Sequence, residues 1–205
     1  MGWVKKSLLV ADFLIFFVAS FLFIILNNED SYFLSQFTGL LSIPLVLLFF
    51  KGELVQDFRS PIIPLAILMS SFIVLVFYFS ITDPSWVSVL PTILIAPVLI
   101  EEFNFRYVLQ RIFLRKMSPY SAVFVQGIFY VGFYSKYVIA DHGLGFPFPY
   151  NLLMLSSVLG MGLVYGLLAK FTKNFLLSTS LHFILWGLFP VIAHYPGIAS
   201  TLLPT

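Results

Sequence analysis

The chain has no cysteine and little charge, with 11 Lys and Arg against 9 Asp and Glu in 205 residues. The first absence excludes a disulfide framework, a thiolate nucleophile and a cysteine metal site, and it leaves the redox compartment open. The second, beside 60% hydrophobic residues and a mean hydropathy of +1.01, excludes a soluble domain, because such a chain lacks the polar surface to cover its core. There is no phosphate-cradling loop, internal repeat or low-complexity tail. The small positive excess, a formal +2, suits topology and anionic headgroups rather than nucleic acid.

What the chain does have is a series of apolar runs of about twenty residues, the length a bilayer core of roughly 30 Å asks of a helix. They fall at 8–26, 33–50, 61–81, 87–113, 119–140, 148–169 and 174–194. The chain therefore reads as an all-α, polytopic, multi-pass bundle of about seven transmembrane helices in the cell membrane. No connector exceeds about a dozen residues, so residues 1–205 form one integral membrane domain and any chemistry belongs to the helices. Lys5 and Lys6 precede the first run as in a signal peptide, but the run is too long and lacks a small-residue cleavage site before Asn27 and Asn28. It is expected to stay as an anchor.

Basic residues orient the bundle. A cytoplasmic N-terminus puts Lys5, Lys6, Lys51, Arg59, Arg111, Arg115, Lys116, Lys170 and Lys173 inside and Lys136 outside, with a C-terminus outside. His142 and His194 then fall in or near the outer loops, where solvation accounts for them, and the connector from Asp141 to Pro149 reads as an ordered surface turn. Asp12, near the cytoplasmic end of the first run, is expected to snorkel. Gly160, Gly162 and Gly166, with Ser156 and Ser157, mark the sixth run as a close-packing helix.

The fourth run contains Glu101, Glu102 and Arg106, placed after Pro97 and before Gln110 and Arg111. Each ionised side chain near mid-bilayer costs on the order of 2.5–3.5 kcal/mol on insertion scales, so such groups call for compensation or function. Glu102 and Arg106 are four apart with the acid N-terminal, the favourable order for a pair on one helix face. Glu101 is rotated from Glu102 by about 100° and stacks with Phe105 instead, so it can point into a separate polar cavity. Two adjacent carboxylates in one low-dielectric site are expected to divide their roles, one as a base and one held ionised by Arg106. The plainer alternative is a helix-locking salt bridge with Glu101 facing water. Pro91 and Pro97 fit either a cavity or an ordinary kink.

His182 lies on the seventh run, eight residues from Asn174 and so about 12 Å deep, while Glu101 is ten residues from Arg111 and about 15 Å deep. The two can meet. A histidine there can orient a carbonyl, stabilise an oxyanion or shuttle a proton, or it can simply be satisfied by Ser178 or Thr179. Glu101, Glu102 and His182 give at most three metal ligands without a His-Glu-x-x-His spacing, so no cofactor is expected and a divalent ion such as zinc is the weaker alternative.

Glu-Glu-x-x-x-Arg in one membrane helix, followed about eighty residues later by a helix bearing a histidine, resembles the CAAX-protease and bacteriocin-processing membrane proteins, also called the Abi family. Pro97, Phe105, Gln110, Arg111, Pro119 and the stretch from Gly160 to His182 carry the likeness, over about residues 90–190. The resemblance implies a helical bundle housing a glutamate-dependent endopeptidase. It implies Glu101 as the base, Glu102 and Arg106 as its structural and electrostatic partners, and His182 on the oxyanion side. The sequence departs from the pattern twice. The family's Phe-x-x-x-His falls on Tyr130-x-x-x-Tyr134, or one residue earlier on Phe129-x-x-x-Phe133, and its asparagine four after the histidine is Trp186. Gln126, Tyr134 and Trp186 are auxiliary candidates, the first two as hydrogen-bond donors, without replacing a neutral-pH base.

Two functions stay open on this basis. One is a divergent endopeptidase that hydrolyses a peptide or a lipidated peptide near the cytoplasmic leaflet. The other is a non-proteolytic member that binds a lipid, lipopeptide or partner membrane protein, as in bacteriocin immunity, envelope-enzyme scaffolding or lipoprotein modification. Membrane lipids are partners in both. A small transporter fits less well, since acids lie well inside only one helix and no repeat is evident.

Overall fold

The computed structural model describes residues 3–26, 29–57, 62–136 and 148–194. Arg59, His142 and most of the connector after Asp141 lie outside the described residues, as do Asn27 and Asn28. Among the described residues the chain forms seven helices: α1 Trp3–Leu26, α2 Glu29–Asp57, α3 Ile62–Thr82, α4 Ser85–Phe113, α5 Pro119–Tyr134, α6 Phe148–Thr172 and α7 Phe175–His194. Three stretches are long and apolar enough to cross a membrane, Ile62–Thr82, Ser85–Phe113 and Leu152–Thr172, and shorter apolar helices run over Leu34–Phe50 and Phe175–Gly187.

The surface is apolar where that of a water-soluble protein is polar, and a group of charged and polar side chains shares the interior with the apolar core. Large apolar side chains face outward, among them Leu48 at 74% and Ile62 at 75% exposure, whereas Glu101, Glu102, Arg106, Gln126 and His182 are buried. That distribution fits hydrocarbon as the surrounding solvent, in which polar groups must find partners inside the protein. Asp12 corrects an expectation: it is buried within the bundle on α1 rather than reaching out to the interface, and its Oδ2 has no hydrogen-bond partner.

Local sequence explains the helix starts. At α4, Asp83 Oδ1 accepts from the Ser85 amide at 3.2 Å and the Ser85 hydroxyl at 2.6 Å, just ahead of the first turn. Ser118 caps α5, its hydroxyl accepting from the Ser121 amide at 3.1 Å, with Pro119 at the position where a missing N–H costs nothing. Asn174 Oδ1 accepts from the Leu176 amide at 2.8 Å at the entry to α7.

Helix α4 is the axis of the bundle and touches all six other helices. It is not a uniform α-helix. Pro97 cannot donate a backbone bond, the chain departs from helical angles at Ala96, and wider π-type turns run over Leu94–Leu99 and Phe103–Phe113. Every residue from Ile100 to Gln110 is buried, as expected for a helix enclosed on all sides. Phe105 anchors the enclosure by edge contacts to Phe13 of α1 at 5.6 Å and Tyr130 of α5 at 5.1 Å. Gly39 of α2 lies so close to Ile100 and Phe16 that a Cβ there would collide with both. Asn104 pins this approach, its Nδ2 donating to the Gly39 carbonyl at 3.0 Å. In α6 the small residues divide: Gly162 packs against Tyr130 and Gly127 of α5, while Gly160 borders open space.

Candidate active site

Adjacent carboxylates on α4 diverge to different partners. Glu102 turns toward its own helix and α7: its Oε2 lies 3.3 Å from Arg106 Nε, and its Oε1 lies 3.1 Å from His182 Nδ1. A carboxylate can only accept from that ring nitrogen unless it is itself protonated, so the Nδ1–H tautomer of His182 donates to Glu102. The hydroxyls of Ser178 and Thr179 do not take this role, since both donate to the Phe175 carbonyl, at 2.7 and 2.9 Å. The arrangement is closed in by rings. Tyr165 of α6 stacks on His182 with centroids 5.0 Å apart, and the Arg106 guanidinium sits 4.6 Å from the Tyr130 centroid.

Glu101 turns toward α5. The Tyr134 hydroxyl donates to its Oε2 at 2.8 Å, and the Tyr130 hydroxyl lies 3.3 Å from the same oxygen. Tyr130 and Tyr134 are one helical turn apart and so share a face. The Tyr130 hydroxyl is also 3.5 Å from His182 Nε2, the nitrogen left with a lone pair when Nδ1 carries the proton. A chain of polar groups thus runs from Arg106 through Glu102, His182 and Tyr130 to Glu101. Lys136, assigned by sequence to an outer loop, is buried at the end of α5 with its ammonium 3.6 Å from the Phe133 centroid. It is close enough for its charge to act on Glu101.

The site-facing register on α5 is Tyr130 and Tyr134. Phe133 stacks on Phe16 at 5.2 Å in the apolar core, and Phe129 is exposed. Two of the auxiliary candidates stand elsewhere. Trp186 packs against the apolar cluster that α3, α4 and α7 build from residues such as Leu75, Leu90 and Phe183. Gln126 is wholly buried, one turn from Tyr130, with neither amide atom partnered and its Oε1 facing Gly166. Sequence reasoning passed over Tyr165 and the linking hydroxyl of Tyr130. Their signal was slight: phenols at helical spacing within apolar runs, next to Gly166 in one case and one turn before Tyr134 in the other. Among the described residues no three His, Asp or Glu side chains are grouped to hold a metal ion.

These features define a membrane-type helical protein in which one enclosed helix carries an acid pair, the first acid bonded by phenols and the second by an arginine and a histidine. A family model described as type II CAAX prenyl endopeptidase Rce1-like matches residues 82–188, from the end of α3 into α7, just over half of the chain and all of this cluster. The chain belongs to that family. No curated protein and no solved structure gives a match.

Proposed function

We propose that the protein is an intramembrane endopeptidase that hydrolyses a peptide, or a peptide carrying a prenyl or other lipid group, with water activated by Glu101. The observation that carries this reading is the asymmetry of the acid pair. Glu102 has no exposed surface and is taken up by Arg106 and His182, whereas Glu101 retains 5% exposure. Membership in a family described as prenyl endopeptidases supports the substrate class.

In the proposed reaction Glu101 accepts a proton from water as the water oxygen bonds to the scissile carbonyl carbon. As Glu101 takes up that proton it no longer needs the bonds from Tyr134 and Tyr130, and each phenol turns its single O–H toward the oxyanion that forms. The C–N bond then breaks as the proton held by Glu101 passes to the leaving amine. The second proton of the attacking water is given up as the new acid ionises and is taken by the amine, and the products are a carboxylate and an ammonium group. Tyr134 stands where the resemblance calls for a histidine; a phenol donates well but is a poor base at neutral pH, which leaves Glu101 as the base. Glu102 holds Arg106 and fixes the His182 tautomer. The chemistry is proposed to need no metal, so dialysis against a chelator should leave turnover intact. The proposed topology is seven crossings with the N-terminus cytoplasmic. Because the chain has no cysteine, a single cysteine placed at Lys116 should react with an impermeant maleimide from the cytoplasmic side only.

The test is purified protein in lipid nanodiscs with a farnesylated C-terminal peptide in ¹⁸O-enriched water. Cleavage should place one ¹⁸O in the new carboxylate. Absence of any cleavage across prenylated and unmodified peptides would refute the endopeptidase and leave a binding role for the cavity.

A further inference from the structure

A second polar site lies on the other side of Arg106. A cleft of about 230 Å³ opens where α4 passes into α5, lined by Arg106, Gln110, Arg111, Arg115 and Lys170 with apolar walls that include Leu114 and Ala122. Four of those side chains are cationic and none of the lining residues is acidic. The first turn of α5 also faces the cleft through Pro119 and Ala122, adding the positive end of a 16-residue helix.

Two buried groups point to a missing ligand. Arg106 is 2% exposed, and its Nη1 and Nη2 have no hydrogen-bond partner; Gln110 is 9% exposed, with its Oε1 unpartnered while its Nε2 donates to the Gly166 carbonyl. Buried donors of a guanidinium left unmet are costly, and an oxyanion with several acceptor lone pairs would meet them. The lone acceptor on Gln110 suits a hydroxyl carried by the same ligand. At the mouth, Lys170 Nζ sits 3.0 Å from the Tyr120 centroid and 4.4 Å from that of Phe171, and both rings are largely exposed. Basic side chains above exposed aromatic rings are the surroundings of a lipid headgroup at a bilayer surface.

We infer that this cleft binds a hydroxylated phosphate ester, the glycerol phosphate headgroup of an anionic phospholipid, with the phosphate on Arg106, Arg111 and Lys170 and a headgroup hydroxyl on Gln110. The site is separate from peptide hydrolysis and stands whether or not the endopeptidase reading does. Arg106 joins it to Glu102, so an occupied cleft would also help fix the guanidinium that holds that carboxylate.

Native mass spectrometry of protein released from nanodiscs of mixed phosphatidylcholine and phosphatidylglycerol tests it. Wild-type protein should retain one phosphatidylglycerol in preference to phosphatidylcholine. An Arg111→Gln/Lys170→Gln variant should retain it about thirtyfold less, on a scale of roughly 1 kcal/mol per basic group near a membrane surface. The charge-preserving Arg111→Lys/Lys170→Arg variant should stay close to wild type. If the glutamine variant does not fold, the wild-type protein still decides the matter, because selective retention must weaken as salt is raised. Soluble glycerol 1-phosphate serves as the second arm. If it displaces the lipid or raises the melting temperature of delipidated protein at millimolar concentration, the same phosphate chemistry also takes a free ester. Equal retention of the two lipids together with no response to glycerol 1-phosphate would overturn the proposal.

Discussion

Glu101 and Glu102 are neighbours in sequence and inhabit different surroundings. Glu102 is fully enclosed, with one oxygen on Arg106 and the other on His182. Glu101 meets the hydroxyls of Tyr134 and Tyr130, and the charge of Lys136 acts on it. Phenols donate to a carboxylate without neutralising it, whereas a guanidinium both pairs with it and fixes its orientation. One helix thus presents two copies of a functional group, one immobilised and one left chemically available. Rotation by about 100° per residue is sufficient to separate them.

The largest effect should come from breaking the immobilised side. Glu102→Ala leaves Arg106 and His182 buried without their acid and should cost about 3–5 kcal/mol, read as a lower melting temperature and poor yield of folded protein. Glu102→Leu combined with Arg106→Leu removes both charges and should recover much of that loss, which a double-mutant cycle will measure. The available side should respond in the opposite sense. Tyr134→Phe removes the 2.8 Å donor to Glu101 and should lower turnover by up to about 10²–10³-fold, while costing only about 0.5–1.5 kcal/mol in stability. The smallest effect lies outside both neighbourhoods. Lys173, which follows α6, has a φ of 52°, where a Cβ is disfavoured. Lys173→Gly should therefore raise stability by about 1 kcal/mol without altering the behaviour of either acid.

Much of the architecture was legible in the sequence. Apolar runs of membrane length located the helices, because hydrocarbon demands that length, and the fourth run at 87–113 corresponds to α4 at Ser85–Phe113. Pairing of Glu102 with Arg106 could be read from their spacing. What could not be read were contacts between helices. The bond from His182 to Glu102 spans 80 residues, whereas matched depth had paired His182 with Glu101, which it approaches only through the Tyr130 hydroxyl. The fates of Asp12 and Lys136 were misjudged because long runs of apolar sequence suggest that a charge near their ends escapes to water. In this bundle both are enclosed by neighbouring helices. The register on α5 was ambiguous for a similar reason: Phe129, Tyr130, Phe133 and Tyr134 are all aromatic, and only packing distinguishes the core-facing Phe133 from the site-facing Tyr134.

The most direct test of the division between the two acids is the single-turnover rate of peptide hydrolysis by Glu101→Gln in nanodiscs, measured with its melting temperature. Loss of the base should lower the rate by about 10²–10⁴-fold while the protein melts close to wild type. A Glu101→Gln protein that cleaves within about threefold of the wild-type rate, small against the loss expected from removing a general base, would contradict the account.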